Sequence, residues 1–446
     1  MSIIYKVVSV VVAIVSISLF GIIKGGTYHS PQCTLFNIGC PKRAVVEGYT
    51  KPKYSKIKQV YQKLFDDGED VASCFAVFEN NEKVIDLCGG YADGINGNKP
   101  YRESLQNVFS SSKAVTGIVI SILVDRGLLK YEEPIATYWP EFAQGGKGNV
   151  TVSDMLQHAG GVTWLDDLIP FDLISSGQRQ DELATFLAKQ KHNFNSVRTT
   201  AYHMVSGGLY LNELIRRVDL KHRDANQFIQ EEIAGPLNVE FTFGLPLDKE
   251  DRFSSFYEYP KLKFLVRLLP RIMLNIPFLP ELEDRAVFKS FFNETSIARK
   301  SIKIITNEPE DFTNTRHWRD LTCVTSAGGF TNAVSMAKIG HIMALEGLPV
   351  DGVSFFKNEK AVKQANAFAE NEFDHTIVKN FTRTHGGFAK MLPDSDIIGW
   401  AGLGGSLNVW DPSRRVSIAY VPKAKGFGMG FDGRSVALYK AFEELY

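Results

Sequence analysis

The sequence carries no net charge, with Lys plus Arg and Asp plus Glu at 50 each, so no global field recruits nucleic acid or a strongly anionic surface. It contains no Cys-x-x-Cys and no His-Glu-x-x-His, which leaves zinc without a ligand spacing. No Gly-x-x-x-x-Gly-Lys-Ser/Thr phosphate loop is present, so nucleoside triphosphate chemistry has no motif to rest on. A Gly-x-Ser-x-Gly elbow is also missing, and the common α/β-hydrolase reading therefore lacks its nucleophile. No internal repeat is visible. What remains is a globular composition, 44% hydrophobic and 22% charged over 446 residues, enough to bury a large core in one big domain or two.

Long apolar runs are scarce, with one exception at residues 7–23, bracketed by Lys6 and Lys24. The run exceeds a usual signal-peptide core and is followed by a weak small-residue cleavage pattern, so segment 1–25 reads as an uncleaved signal anchor ahead of a cleaved signal peptide. Either reading places the chain in the secretory pathway, membrane-anchored or secreted. A mitochondrial presequence would be amphipathic and Arg-rich, and this segment has no Arg. The five cysteines are compatible with that route. Cys33 and Cys40 suit a small disulfide loop, and Cys74 and Cys88 flank a hairpin where either a cross-strand bridge or two buried thiols is open. Cys323 is left over. Sequons at Asn149, Asn293 and Asn380 matter only in a lumen.

Residues 26–65, with Pro31, Pro41 and Pro52, read as a stalk leading into a folded domain over 66–446. "ASCFAVF" and "KVIDLCGG" around a polar turn form the hairpin signal. After Lys113 the apolar residues Val115, Ile118, Val119, Ile122 and Leu123 recur at helical spacing. Further helices are expected at 151–158 and 205–218, strands in "GGSLNVWD" and "RVSIAYV", and a closing helix near 434–445. Strands at both ends around a helical middle, about 114–315, predict one α+β domain with a helical insertion. The stretch 257–292 mixes leucines and phenylalanines with Lys261, Lys263, Arg267 and Arg271, broken by prolines. It reads either as a packed insertion or as a basic, apolar flap that touches a membrane or guards a greasy substrate.

The chemistry centres on "NVFSSSKAVTGI". Ser110 and Lys113 at i and i+3 share one face of a helix. In a buried first turn the helix dipole and desolvation both push the amine's pKa down. A neutral Lys can then take the serine proton while main-chain N–H groups hold an oxyanion. Ser-x-x-Lys also occurs elsewhere, as at Ser55–Lys58 and Ser335–Lys338, but only Ser110 follows a hairpin and opens a long buried helix.

"FSSSKAVTGI", "YWPEFAQGGKGNVTVSDMLQHAGGV", "AYHMVSGGLYLNELIRRVD", "SAGGFTNAVSMAKI" and "GWAGLGGSLNVWD", in that order over about residues 70–445, resemble the serine β-lactamase-related family. The pattern is most similar to its esterase members and the animal β-lactamase-domain-containing proteins. The resemblance implies the β-lactamase/transpeptidase-like α+β fold: an antiparallel sheet from the N- and C-terminal segments, flanked by helices, with a helical subdomain inserted. It implies Ser110 as nucleophile with Lys113, and Tyr202 in "TTAYHM" as the facing phenol. Where the common motif has Asn two residues after the Tyr, this chain has Met204. A phenol close to Lys113 is expected to ionise more readily than usual and to shuttle protons. The third motif corresponds to Trp400-Ala401-Gly402. Gly402 allows close backbone approach, and the Leu403 N–H is the expected second oxyanion donor beside that of Ser110.

Trp400 cannot act as a Lys would toward a substrate carboxylate; it offers an apolar face and one N–H. The expectation is therefore a serine hydrolase for esters or amides of neutral or hydrophobic acyl groups, a small-molecule ester or peptide, with no metal or organic cofactor. A catalytically inactive scaffold of the same fold is the rival, and true β-lactamase action a minor one. His158 reads as structural, His203 as either cleft-facing or superficial, and His385 as part of a turn. The broad family includes filament formers, so the resemblance leaves self-assembly open.

Overall fold

The computed structural model describes the chain except residues 1, 25, 176, 269–289, 292, 305–311, 393–394 and 427–431, with the side chains of 2–4, 6, 23–24 and 267–268 also left aside. Most of the 257–292 stretch thus lies outside the described residues.

Nine strands form one antiparallel sheet: β1 Glu47–Thr50, β2 Ala72–Glu79, β3 Glu82–Gly90, β4 Phe368–Asp374, β5 Lys379–Thr384, β6 Ala389–Lys390, β7 Ile398–Ala401, β8 Leu407–Asp411 and β9 Val416–Pro422. Their spatial order is β1-β3-β2-β9-β8-β7-β6-β5-β4, so the C-terminal strand β9 pairs with the N-terminal β2 in mid-sheet, Ile418 opposite Val77. The helices that matter here are α1 Ser2–Lys24, α2 Ser55–Asp66, α3 Ser112–Asp125, α4 Ser206–Val218, α5 Ala333–Ala344 and α6 Gly433–Glu443. Strand alternation sorts the side chains. Phe75 and Val77 join Ile57 and Tyr61 of α2 and Leu438 and Phe442 of α6, while Cys74 and Ala76 join Met336 and Ala337 of α5 on the opposite face.

The expected hairpin is β2–β3, and its register sets Cys74 directly opposite Cys88. The small Cys33–Cys40 loop is bridged, and of the two alternatives left open for Cys74 and Cys88 the cross-strand disulfide is the one formed; Cys323 is free and buried. The stalk reading of 26–65 requires correction. Residues 47–50 add the edge strand β1, and α2 buries Ile57, Tyr61 and Phe65 against the sheet. The folded unit therefore begins well before residue 66.

Helix α3 runs through the second core, with every residue from Ser112 to Leu123 buried. It packs against α4 across the helical middle. Among the described residues no helix is long and apolar enough to cross a membrane. None of their His, Cys, Asp or Glu side chains cluster as a metal site would require.

Candidate active site

A short strand, Gln106–Asn107, feeds a single 3-10 turn, Phe109–Ser111, which runs directly into α3. Phe109 sits at φ +43°, a left-handed backbone that a bulky side chain adopts only when its surroundings force it. The surroundings are aromatic: its ring stacks on Phe256 at 4.9 Å and lies 6.0 Å from Trp318. This strained turn presents Ser110 at the mouth of α3.

Each of the three consecutive serines has its own partner. Ser110 Oγ accepts from the Tyr202 hydroxyl at 2.9 Å and lies 3.3 Å from Lys113 Nζ. Ser111 Oγ meets Ser406 Oγ at 3.0 Å and so ties the turn to the segment after β7. Ser112 Oγ accepts the Gly329 N–H at 2.9 Å. Ser111 and Ser112 thus brace the position of Ser110.

Lys113 Nζ donates to the main-chain carbonyls of Met204 at 2.7 Å and Ser326 at 2.9 Å. A neutral amine has two N–H bonds and one lone pair, so these two carbonyls leave the lone pair for the Ser110 hydroxyl. Burial pushes the Lys113 pKa well down, and the Arg383 guanidinium adds to the effect. Tyr202 behaves in the opposite way from the expectation. Burial raises its pKa well above the usual phenol value, so it is a neutral O–H donor to Ser110, and the expected readily ionised phenol is corrected to a proton-bearing one.

Two carboxylate contacts and two glycines hold this geometry. Asp374 Oδ1 accepts the Tyr202 N–H at 3.0 Å, while Arg383 donates to Oδ2; the pair is buried. At Gly208 a Cβ would fall 2.2 Å from the Ser326 nitrogen, so only glycine lets α4 approach the loop that carries the Lys113 acceptor. At Gly402 a Cβ would meet the Val108 carbonyl oxygen at 2.2 Å and the Ser110 nitrogen at 3.2 Å. The end of β7 is thereby set beside the nucleophile's N–H. Among the described residues neither the Ser110 nor the Leu403 N–H has a hydrogen-bond acceptor, which is what an oxyanion hole needs.

Trp400 is in the site but not as an open wall. Its indole N–H donates to the Gly387 carbonyl at 3.0 Å, and its ring lies against Tyr202 with centroids 5.4 Å apart. The expected free N–H donor is therefore already used, and the indole acts as backing for Tyr202. Lys113 Nζ lies 4.9 Å from the Tyr202 ring centroid and 5.8 Å from that of Trp400, so an ammonium formed during reaction faces two π surfaces.

Behind these rings His203 is fully buried, neither cleft-facing nor superficial. The Val162 N–H donates to its Nε2 at 3.1 Å, which fixes its proton on Nδ1, 3.3 Å from His158 Nδ1. His158 is then protonated at Nε2, with its ring edge-on to Tyr202 and Trp400. A cavity of about 20 Å³ lies behind Lys113, lined by His158, Ser326 and Trp400 among others. A larger cleft, about 730 Å³, is lined by residues of 26–44 and 65–71 and touches none of the site residues.

The sequence reading missed Met204 and Ser326 as Lys113 acceptors, Asp374 as the anchor of Tyr202, and the backbone strain at Phe109. Ser326 stands in the quoted "SAGGFTNAV" block, but what it gives Lys113 is a main-chain carbonyl; neither the two carbonyls nor the torsion carries a residue signature.

A family model described as Beta-lactamase matches residues 61–440. The chain is 30% identical over 195 residues to "Esterase/beta-lactamase LipL" of Mycobacterium tuberculosis (strain ATCC 25618 / H37Rv), a match spanning 44% of each protein, less than half the relative's length. Among solved structures it is similar to a penicillin-binding protein homolog from Caulobacter crescentus, at 28% identity and TM-score 0.73, covering 90% of this chain and 100% of that one. A family VIII carboxylesterase superposes with TM-score 0.75 over 90% of this chain and 100% of its own, at 24% identity, a likeness of fold alone.

Proposed function

The chain belongs to the beta-lactamase family, and we propose that it is a serine hydrolase that cleaves esters of neutral or hydrophobic acyl groups through an acyl-enzyme on Ser110. The observation that carries this reading is the position of Ser110 Oγ between the buried Lys113 amine, 3.3 Å away, and the Tyr202 phenol, 2.9 Å away.

Ser110 Oγ attacks the ester carbonyl carbon as its proton passes to the Lys113 lone pair. The carbonyl oxygen takes up the charge between the Ser110 and Leu403 N–H groups. The tetrahedral species collapses by breaking the bond to the alcohol oxygen, which leaves with the Tyr202 proton. The Lys113 ammonium then reprotonates Tyr202. Water repeats the sequence on the acyl-enzyme and frees the acid. The preference for an uncharged acyl group follows from position 400, where an indole committed to Gly387 offers no ammonium to a substrate carboxylate. The name of the mycobacterial relative, an esterase/beta-lactamase, supports the ester reading.

The test is hydrolysis of p-nitrophenyl esters of increasing acyl length by the wild type and Ser110→Ala, with a chromogenic cephalosporin alongside. Ester turnover that rises with chain length and disappears in the variant is expected. Equal, negligible rates in both proteins would favour a scaffold, and cephalosporin turnover rivalling that of the esters would contradict the argument from Trp400.

A further inference from the structure

We infer that α1 seats the protein on a lipid bilayer, with Leu262 and Leu265 as a second contact, and that the active site draws its ester from that membrane surface. The substrate half of this inference rests on the hydrolase reading; the docking half does not.

The first observation is the shape of the apolar surface. At about 100° per residue, Val7, Val8, Val12, Ile14, Ile17 and Phe20 point in all directions around α1, and each is at least half exposed. No charged residue lies between Lys6 and Lys24. A protein groove or a second copy would cover one stripe of such a helix, whereas lipid covers every side. Among the described residues its C-terminal end is what meets the body: Ile22 is buried, and Lys263 Nζ donates to the Ile22 carbonyl at 2.7 Å.

The second observation is what stands at that root. Leu262 and Leu265 are each 53% exposed, with Lys261 exposed beside them. Tyr28 packs edge-on to Tyr257 at 5.6 Å and to Tyr259 at 6.4 Å. Tyr28 is buried, but the half-buried Tyr257 and Tyr259 with the exposed Lys261 and leucines are the chemistry of a headgroup boundary.

The third observation connects this root to the reaction centre. The Tyr28 hydroxyl donates to the Lys425 carbonyl at 2.9 Å, and the Lys425 N–H donates to Tyr257 at 2.9 Å. The next residue, Gly426, donates to the Gly404 carbonyl at 3.0 Å, adjoining the oxyanion donor Leu403, whose side chain is 46% exposed. Phe256, next to Tyr257, is the ring on which Phe109 stacks. The rim of the active site is thus built on the same few residues that hold the foot of α1.

The experiment uses the full chain with phosphatidylcholine/phosphatidylglycerol vesicles in a flotation gradient. It measures hydrolysis of soluble p-nitrophenyl butyrate and of 4-methylumbelliferyl oleate carried in the vesicles. The wild type should float and Val12→Asp/Ile17→Asp should not. Leu262→Asp/Leu265→Asp should lose about tenfold on the vesicle-borne ester and nothing on the soluble one. A wild type that stays at the bottom, above all as an oligomer that Val12→Asp/Ile17→Asp dissolves, would overturn the docking. Floating protein whose Leu262→Asp/Leu265→Asp variant hydrolyses both esters at wild-type rates would overturn the second contact and the membrane supply. Flotation with no turnover of either ester would remove the hydrolase reading and the substrate half with it.

Discussion

The phenol of Tyr202 lies almost flat on the indole of Trp400, with ring centroids 5.4 Å apart and planes 14° from parallel, while its hydroxyl reaches Ser110 Oγ at 2.9 Å. The ring's packing and the hydroxyl's chemistry can therefore be separated. Tyr202→Phe keeps the stack and removes the proton, and should lower kcat by about 10²–10⁴ with an unchanged thermal midpoint. Trp400→Ala removes the backing and should cost about 3–5 kcal/mol of stability in chemical unfolding.

Lys113 acts through a lone pair, and so cannot be replaced by a permanent cation. Lys113→Arg keeps charge and length but holds its proton throughout the working range. It should be as inactive as Lys113→Met, with both down about 10³-fold or more in single-turnover acylation. An Arg variant retaining most of the activity would show that the group serves only as a charge.

The pH profile follows from the two opposed shifts. The Lys113 amine must be neutral to accept the serine proton, so kcat/KM should fall on the acid side, through a pKa well below the usual lysine value. Tyr202 keeps its proton because its pKa is raised, so no alkaline limb from this phenol should appear up to about pH 10. Stopped assays of a soluble ester from pH 5 to 10 read both limbs.

Stability should depend on pH through buried imidazoles. Burial pushes His203 down to about 3 and His341 down to about 4, and also lowers His158. The unfolded chain then binds more protons than the fold, so the stability these imidazoles contribute is complete above the ordinary histidine pKa and declines as pH falls through about 6.5 toward those values. Urea midpoints between pH 7.5 and 4 should decrease monotonically, and His341→Asn should flatten part of that slope.

The Cys74–Cys88 bridge closes a loop with a sequence separation of 14 across β2 and β3. Removing it with Cys74→Ala/Cys88→Ala should cost about 2–4 kcal/mol, measured as a lower urea midpoint, with ester turnover retained at permissive temperature. Loss of turnover in folded protein would connect this hairpin to the site in a way the contacts do not.

Much of this architecture was legible because side-chain identity carried it. The i, i+3 pair Ser110/Lys113 ahead of an apolar helix, the alternation of β2 and β3, and the Cys74/Cys88 symmetry about a polar turn are all written in residue types. What escaped was carried by the backbone. Residues 47–50 alternate nothing and three of the four are exposed; they form a strand because β3 offers them a free edge, so their polar sequence read as a stalk. Lys113's acceptors are carbonyls of Met204 and Ser326, which any residue would supply. Trp400's orientation was set by the Gly387 carbonyl, thirteen residues upstream, and Tyr202's protonation by a degree of burial that only the packed core determines.

The measurement that tests the central claim most directly is peptide-resolved mass spectrometry after reaction with a fluorophosphonate, on the wild type, Ser110→Ala and Lys113→Met. A single phosphonyl adduct on Ser110, absent from Ser110→Ala and formed far more slowly in Lys113→Met, is the predicted result. No adduct on Ser110 of the folded wild type, or labelling at the same rate in Lys113→Met, would contradict the assignment of an amine-activated nucleophile.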